Sequence, residues 1–236
     1  MHNRDLEDTH LSPYLDEETR LYRVRHLSSD IPRLNEYQRL RAAIFAHGRG
    51  WQIPVDEHGR ERDRYDEPDE RWYTNSFGVY GEDVSEHLLG GVRVLSLPTW
   101  DHSMVMNEFA SMFHESALRT LRSMRSQDIL EITRFCVRRG HWYPANQRFR
   151  CAVARDLTYA ALYAVVSNTQ RTLGVGVADP AYMRVIQRGH FAVTALSVTP
   201  NAILFLVDLE ESIRAIRLAG DEARAQRMLF LCPGSF

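Results

Sequence analysis

Not one lysine occurs among the 29 basic residues of the chain; every one is arginine. Schiff-base chemistry, a pyridoxal phosphate linkage and a P-loop lysine all need a lysine amine, so those mechanisms are excluded. Long apolar runs are missing as well. The longest, such as Ala202 to Val207, fall far short of the roughly 20 residues a membrane helix requires, so no integral membrane segment is expected. Cysteine is scarce: Cys136, Cys151 and Cys232 are widely spaced, odd in number and form no CxxC. That set fits reduced thiols in a cytoplasmic protein rather than a disulfide framework. The ten histidines include no HxH or HExxH spacing, so no metal site is expected. A basic excess is lacking too, the formal net charge being -2, which argues against nucleic acid as a partner. The N-terminal stretch does not show the charged-then-apolar order of a signal peptide.

What is present is enough for one sizeable core: 236 residues, 44% of them hydrophobic. Residues 1–20 are acidic and poor in apolar side chains, which predicts a flexible N-terminal arm followed by a single domain over 21–236. A strand is predicted over Leu21 to Leu27, then a helix opened by Asp30 and Pro32, with Leu34, Tyr37, Leu40, Ile44 and Phe45 at helical spacing. Gly48 to Asp69 reads as a long functional loop. Strands are predicted at Ser76 to Tyr80, Leu88 to Leu97 and Ile129 to Arg138, with short helical segments across Met104 to Met124. A long amphipathic helix follows at Gln147 to Ser167, then a strand at Thr172 to Ala178. Next come a helix between Asp179-Pro180 and Gly189, two apolar strands, and a polar helix from Glu210 to Met228. A meander of strands followed by strands alternating with helices predicts an α/β or α+β sheet layered by helices.

Five short segments carry the chemistry. They are Arg41-Ala42-Ala43-Ile44-Phe45, Gly50-Trp51, Glu61-Arg62-Asp63-Arg64-Tyr65-Asp66, Gly90-Gly91-Val92-Arg93 and Glu131-Ile132-Thr133-Arg134-Phe135. Each is ordinary alone, but as an ordered set they resemble the LuxI-like autoinducer synthases, the N-acyl-homoserine lactone synthases. The likeness is close from Leu21 to about Val137 and general beyond. It implies a GNAT-like three-layer α-β-α fold with a central mixed, twisted sheet. It also implies transfer of an acyl group from acyl carrier protein or acyl-CoA to S-adenosylmethionine, which is a substrate, so that no cofactor is expected.

The residue types suit that substrate. S-adenosylmethionine brings a carboxylate, an ammonium and a sulfonium; arginine meets a carboxylate as a planar fork, and an aromatic face attracts a cation. On the resemblance, Arg41, Arg93 and Arg134 are candidates for the carboxylate, and Phe45 and Trp51 for the sulfonium. Glu61 joins this substrate-binding set, while Asp63 and Asp66 orient the arginines and attract the ammonium. Glu131, a carboxylate inside an apolar strand, is the candidate base that takes the amine's proton. An acyl groove is expected near Thr133, Phe135 and the run from Leu173 through Val175 to Val177, with the long helix as its floor. One difficulty lies in strand parity: Glu131 and Arg134 are an odd number of residues apart, so an ideal strand sends them to opposite faces. A bulge near Thr133 would reunite them.

The nearest alternative is a GNAT-like N-acyltransferase acting on another amine. Arg171-Thr172-Leu173-Gly174-Val175-Gly176 matches the RxxGxG phosphate loop of such enzymes, but it follows a helix and enters a strand, the reverse of the order phosphate binding needs. A docking face for an acidic carrier protein is expected from Arg119, Arg122 and Arg125, together with Arg138, Arg139, Arg148, Arg150 and Arg155.

Overall fold

The computed structural model describes residues 22–67, 73–81, 87–138, 153–155, 157–159 and 171–220. The acidic segment 1–20, most of the long helix expected at 147–167 and the chain beyond 220 lie outside the described residues, although 153–155 and 157–159 are helical as expected.

Among the described residues there are seven strands: β1 (Tyr22–His26), β2 (Tyr73–Gly81), β3 (Leu88–Ser96), β4 (Ile129–Val137), β5 (Leu173–Ala178), β6 (Ala192–Val198) and β7 (Ile203–Asp208). They form one sheet in the order β1-β2-β3-β4-β5-β7-β6. β4 and β5 run parallel and every other neighbouring pair is antiparallel, so the sheet is mixed. Among the described residues four α-helices have defined bounds: α1 (Ile31–Arg41), α2 (Glu115–Ser123), α3 (Pro180–Arg188) and α4 (Leu209–Leu218). Their starts follow from capping chemistry. Asp30 accepts from the Arg33 amide, Asp179 from Tyr182 and Asp208 from Glu211, and prolines open α1 and α3.

Side chains from both faces of the sheet are buried. Val175, Leu204 and Leu206 pack under α2 with Leu118 and Leu121. On the opposite face Ile132, Phe205 and Val207 meet Val153, Leu157, Met183 of α3 and Ile216 of α4. Helices on both faces of a mixed sheet make the expected three-layer α-β-α fold. No helix of the described residues is long and apolar enough to cross a membrane.

The pairing of β4 with β5 covers only Ile129 to Ile132 against Leu173 to Gly176. Beyond that register the two parallel strands part, and β5 continues on β7 alone. This wedge between neighbouring strands opens a path through the sheet. The glycines of the RxxGxG match serve packing below it: a Cβ on Gly174 would lie 2.6 Å from Val207 Cγ1, and one on Gly176 would lie 2.8 Å from Phe205 Cζ. Arg171 donates to the carbonyls of Ser126 and Ile129. The motif is therefore consumed by the sheet.

Candidate active site

The site begins with an irregularity in β4. On β3, Gly91 pairs with Cys136 and Arg93 with Thr133, so two steps along β3 match three along β4. β4 carries the extra residue. Arg134 takes it up with φ 51, in the left-handed region, at a cost of roughly 1–3 kcal/mol for a residue other than glycine. Tyr37 of α1, fully buried, donates its hydroxyl to the Arg134 carbonyl at 2.7 Å and pins the bulge. The parity difficulty is thereby resolved. Thr133 and Arg134 both serve the face that carries Arg93, and Glu131 lies on that face as well.

Around Arg134 a buried ionic frame assembles. Arg93 clasps Asp63 with two bonds of 2.8 and 2.7 Å, and its Nε donates to Thr133 Oγ1 at 3.2 Å. Arg41 clasps Asp66 at 2.9 and 2.7 Å and also donates to the Glu61 carboxylate and carbonyl. Arg134 bridges the two halves, donating to Glu61 at 2.9 Å and to Asp63 at 3.2 Å. The carboxylates are held in place locally: Asp63 and Asp66 form a capping box around the 3-10 turn Arg64–Asp66. Burial alone would raise both carboxyl pKa values, but the Arg93 guanidinium beside Asp63 and that of Arg41 beside Asp66 outweigh it and hold both below the ordinary range. Every buried charge here has a partner, which is the condition for tolerating it.

This pairing separates the expected site residues into two groups. Arg41 and Arg93 are fully buried, as is Glu61, and none of these three nor Asp66 lines the cleft between β4 and β5. Their hydrogen bonds run mainly to one another and to Asp63, so they form a frame behind the cleft. Arg134, Asp63, Phe45 and Trp51 do line the cleft.

Glu131 is held differently. Its two carboxylate oxygens accept the backbone N–H groups of Val105 at 2.8 Å and Met104 at 3.1 Å, at the start of the π-helical turn Val105–Phe109. No arginine bonds to it among the described residues. Burial pushes its pKa up to about 7, against the pull of those amides, the Ser103 hydroxyl and the more distant Arg93. It is the carboxylate on this face poised to exchange a proton near neutrality, and it lines the cleft.

The cleft has a volume of about 1540 Å³ and runs through the wedge between β4 and β5. On the Glu131 face, Phe45 and Trp51 stack with centroids 4.9 Å apart and planes 14° from parallel, and Phe109 meets Trp51 edge-on at 6.0 Å. Phe45 comes from a π-helical turn, Ala42–His47, that extends α1; such turns recur at functional sites. On the other face Phe135 and Tyr182 stack at 3.9 Å. Thr133, Phe135, Val177 and Ala178 line the wall. Leu173 and Val175 do not: they sit where β5 is still paired on both sides, packed under α2. The groove starts two residues further along.

Several residues on the cleft had no distinctive sequence signal. Glu108 bonds Arg134 at 3.2 Å at the rim, and Arg49 reaches Asp179 at 2.7 Å, fastening the loop beside Trp51 to the cap of α3. Among the expected docking arginines, Arg122 is paired with Glu115 and Arg138 bonds the Leu88 carbonyl. Arg139, Arg148 and Arg150 lie outside the described residues.

With this geometry in place, comparison with known proteins is decisive. The family model described as autoinducer synthase matches residues 26–228. The chain belongs to the autoinducer synthase family. An acyl-homoserine-lactone synthase from Rhizobium etli is 32% identical over 162 residues, covering 69% of this chain and 68% of that one. Among solved structures, TofI in a ternary complex with an inhibitor and MTA superposes with a TM-score of 0.59 at 18% identity, covering 84% of this chain and 96% of that one. The CoA-dependent acyl-homoserine lactone synthase BjaI, with SAM and isopentyl-CoA, also gives 0.59, at 21% identity over 84% of this chain and 90% of that one. At such identities the structural likeness speaks for the fold, and the family model carries the membership.

Proposed function

We propose that this chain is an acyl-homoserine-lactone synthase, an acyltransferase of quorum-sensing signal production working in the cytoplasm. The amine of S-adenosylmethionine attacks the carbonyl of an acyl thioester; the N–C bond forms, the C–S bond breaks, and the thiol leaves. The substrate's carboxylate then closes on the carbon bearing the sulfonium, which departs as neutral methylthioadenosine and leaves the acyl-homoserine lactone. S-adenosylmethionine is consumed as a substrate, and no step requires a cofactor. The observation that carries this reading is the cleft itself. One carboxylate poised near neutrality, an aromatic stack and a buried arginine with donors to spare converge where two parallel strands separate.

Roles follow from what each side chain has left to offer. Arg134 spends three of its five N–H donors, two on Glu61 and Asp63 of the frame and one on Glu108 at the rim, so it retains donors for the substrate carboxylate. The Phe45–Trp51 stack offers a face to the sulfonium. Asp63, ionised beside Arg93, attracts the ammonium. Glu131 takes the proton from that ammonium, directly or through a water, because a base is most effective with a pKa near the working pH. Arg41, Arg93, Glu61 and Asp66 keep this set rigid. The acyl chain follows the wedge past Thr133 and Phe135 toward Val177 and Ala178, with the donor being acyl carrier protein or acyl-CoA.

The test is direct: incubate the purified chain with S-adenosylmethionine and a panel of acyl-carrier and acyl-CoA donors, and follow products by mass spectrometry. Lactone and methylthioadenosine in equal amounts are expected. Acylation of some other amine without lactone would replace this reading with that of a general N-acyltransferase.

A further inference from the structure

The arginines around the cleft fall into two kinds. Arg41, Arg93 and Arg134 are matched to carboxylates of the segment 61–66, and Arg49 is matched to Asp179. Arg184 and Arg188 on α3 line the same cleft and are exposed, yet neither has a carboxylate partner among the described residues. The helix itself, Pro-Ala-Tyr-Met-Arg-Val-Ile-Gln-Arg, contains no acidic residue. Met183 and Ile186 are buried in the core and fix its rotation. That rotation turns Ala181, Arg184, Val185 and Arg188, spaced three and four apart, toward the cleft as one stripe. An apolar wall thus ends in two guanidinium groups one helical turn apart that no carboxylate of the described residues compensates.

We propose that Arg184 and Arg188 bind the phosphate of the donor's phosphopantetheine arm. The proposal rests on the reading of the chain as using an acyl thioester donor, and it names the part of the donor recognised outside the reaction centre. Phosphopantetheine is the chemistry that acyl carrier protein and CoA share: a thiol on a long, uncharged amide chain that ends in a phosphate. Ala181 and Val185 suit the chain, and guanidinium groups suit the phosphate, which they meet with paired N–H donors. The glycine-rich match at residues 171–176 cannot take that role, because its two glycines are filled by Val207 and Phe205 of β7.

Binding to the full chain of three thiols without an acyl group tests this: pantetheine, 4′-phosphopantetheine and CoA, titrated against wild type and the double variant Arg184→Gln/Arg188→Gln. Charge-assisted contacts of this kind predict that wild type prefers phosphopantetheine over pantetheine by about tenfold or more. The double variant should lose that preference and keep its affinity for pantetheine and for S-adenosylmethionine. Equal binding of pantetheine and phosphopantetheine by wild type, or a preference that survives in the variant, overturns the proposal. A loss confined to CoA, with phosphopantetheine unaffected, also overturns it, since the arginines would then serve the nucleotide end. Among donors, a matching rise in KM for both acyl-carrier and acyl-CoA substrates is expected from a shared arm. Lactone formation by wild type is scored separately. If it is absent while the phosphate preference holds, the synthase reading fails and the phosphopantetheine site stands.

Discussion

Two sets of carboxylates lie on the same face of one sheet and are treated in opposite ways. Glu61, Asp63 and Asp66 are surrounded by Arg41, Arg93 and Arg134, and for both aspartates this pulls the pKa down. Glu131, on the neighbouring stretch of β4, is given only backbone amides and the Ser103 hydroxyl, and burial lifts its pKa to about 7. The difference teaches how a site can be charged and rigid in one part and proton-exchanging in another. Ionised pairs build the frame; the carboxyl whose pKa lies near neutrality is kept out of them.

Breaking the frame should have the largest effect. Arg41→Ala leaves Glu61 and Asp66 buried with too little positive charge, and loss of one member of a buried pair costs about 3–5 kcal/mol. Denaturant melts should show a loss of that size; a loss under about 1 kcal/mol would mean the frame is not structural. The two sets also predict opposite pH edges. Carboxyls with lowered pKa values, Asp63 and Asp66, stabilise the fold above the ordinary carboxylate range, and that stability is lost as pH falls through it. A carboxyl with a raised pKa does the reverse. The stability associated with protonated Glu131 is present in full near pH 4 and is lost as pH rises through 7, amounting to about 3 kcal/mol on the alkaline side. In Glu131→Gln the decline between pH 5 and 8 should flatten while the acid edge remains. An unchanged alkaline slope would contradict the assignment.

Two smaller effects sharpen the comparison. Tyr37→Phe deprives the buried Arg134 carbonyl of the hydroxyl that pins the bulge, which should cost about 1–3 kcal/mol. It should also raise KM for S-adenosylmethionine, because Arg134 would lose its orientation; a stability loss with no change in KM would make Tyr37 a purely structural residue. Trp51→Ala removes the outer ring of the Phe45 stack and should weaken S-adenosylmethionine binding by about fivefold or more, in line with roughly 1–2 kcal/mol for a cation at a partly desolvated aromatic face. Donor KM should move less. Equal changes in both constants would place Trp51 at a general entrance.

Much of this architecture was legible before the fold was known. Asp30 with Pro32 and Asp179-Pro180 with Gly189 bracket helices because capping is local chemistry. The oddness of Glu131 to Arg134 pointed to a bulge, and the extra residue is at Arg134. What local pattern could not show is which partner a charge has already taken. Arg41, Arg93 and Arg134 are the same residue type in similar motifs, yet only the third keeps donors facing the cleft, because pairing is settled by elements distant in the chain. The extent of the groove along β5 has the same origin. Leu173 and Val175 alternate just as Val177 does, and the point where β4 leaves β5, after Ile132 and Gly176, is a property of the sheet. Glu108 and Arg49 gave no signal because their partners are 26 and 130 residues away.

The pH dependence of lactone formation in wild type and Glu131→Gln bears most directly on the division between frame and base. Wild-type kcat/KM for the acyl donor at saturating S-adenosylmethionine should rise with pH through an apparent pKa near 7 as Glu131 loses its proton. In Glu131→Gln the rate should fall by about 10²-fold or more and that inflection should vanish, since a positioned general base contributes on this order. A variant that keeps most of its rate, or that keeps the inflection near 7, would contradict the account and move the proton acceptor elsewhere in the cleft.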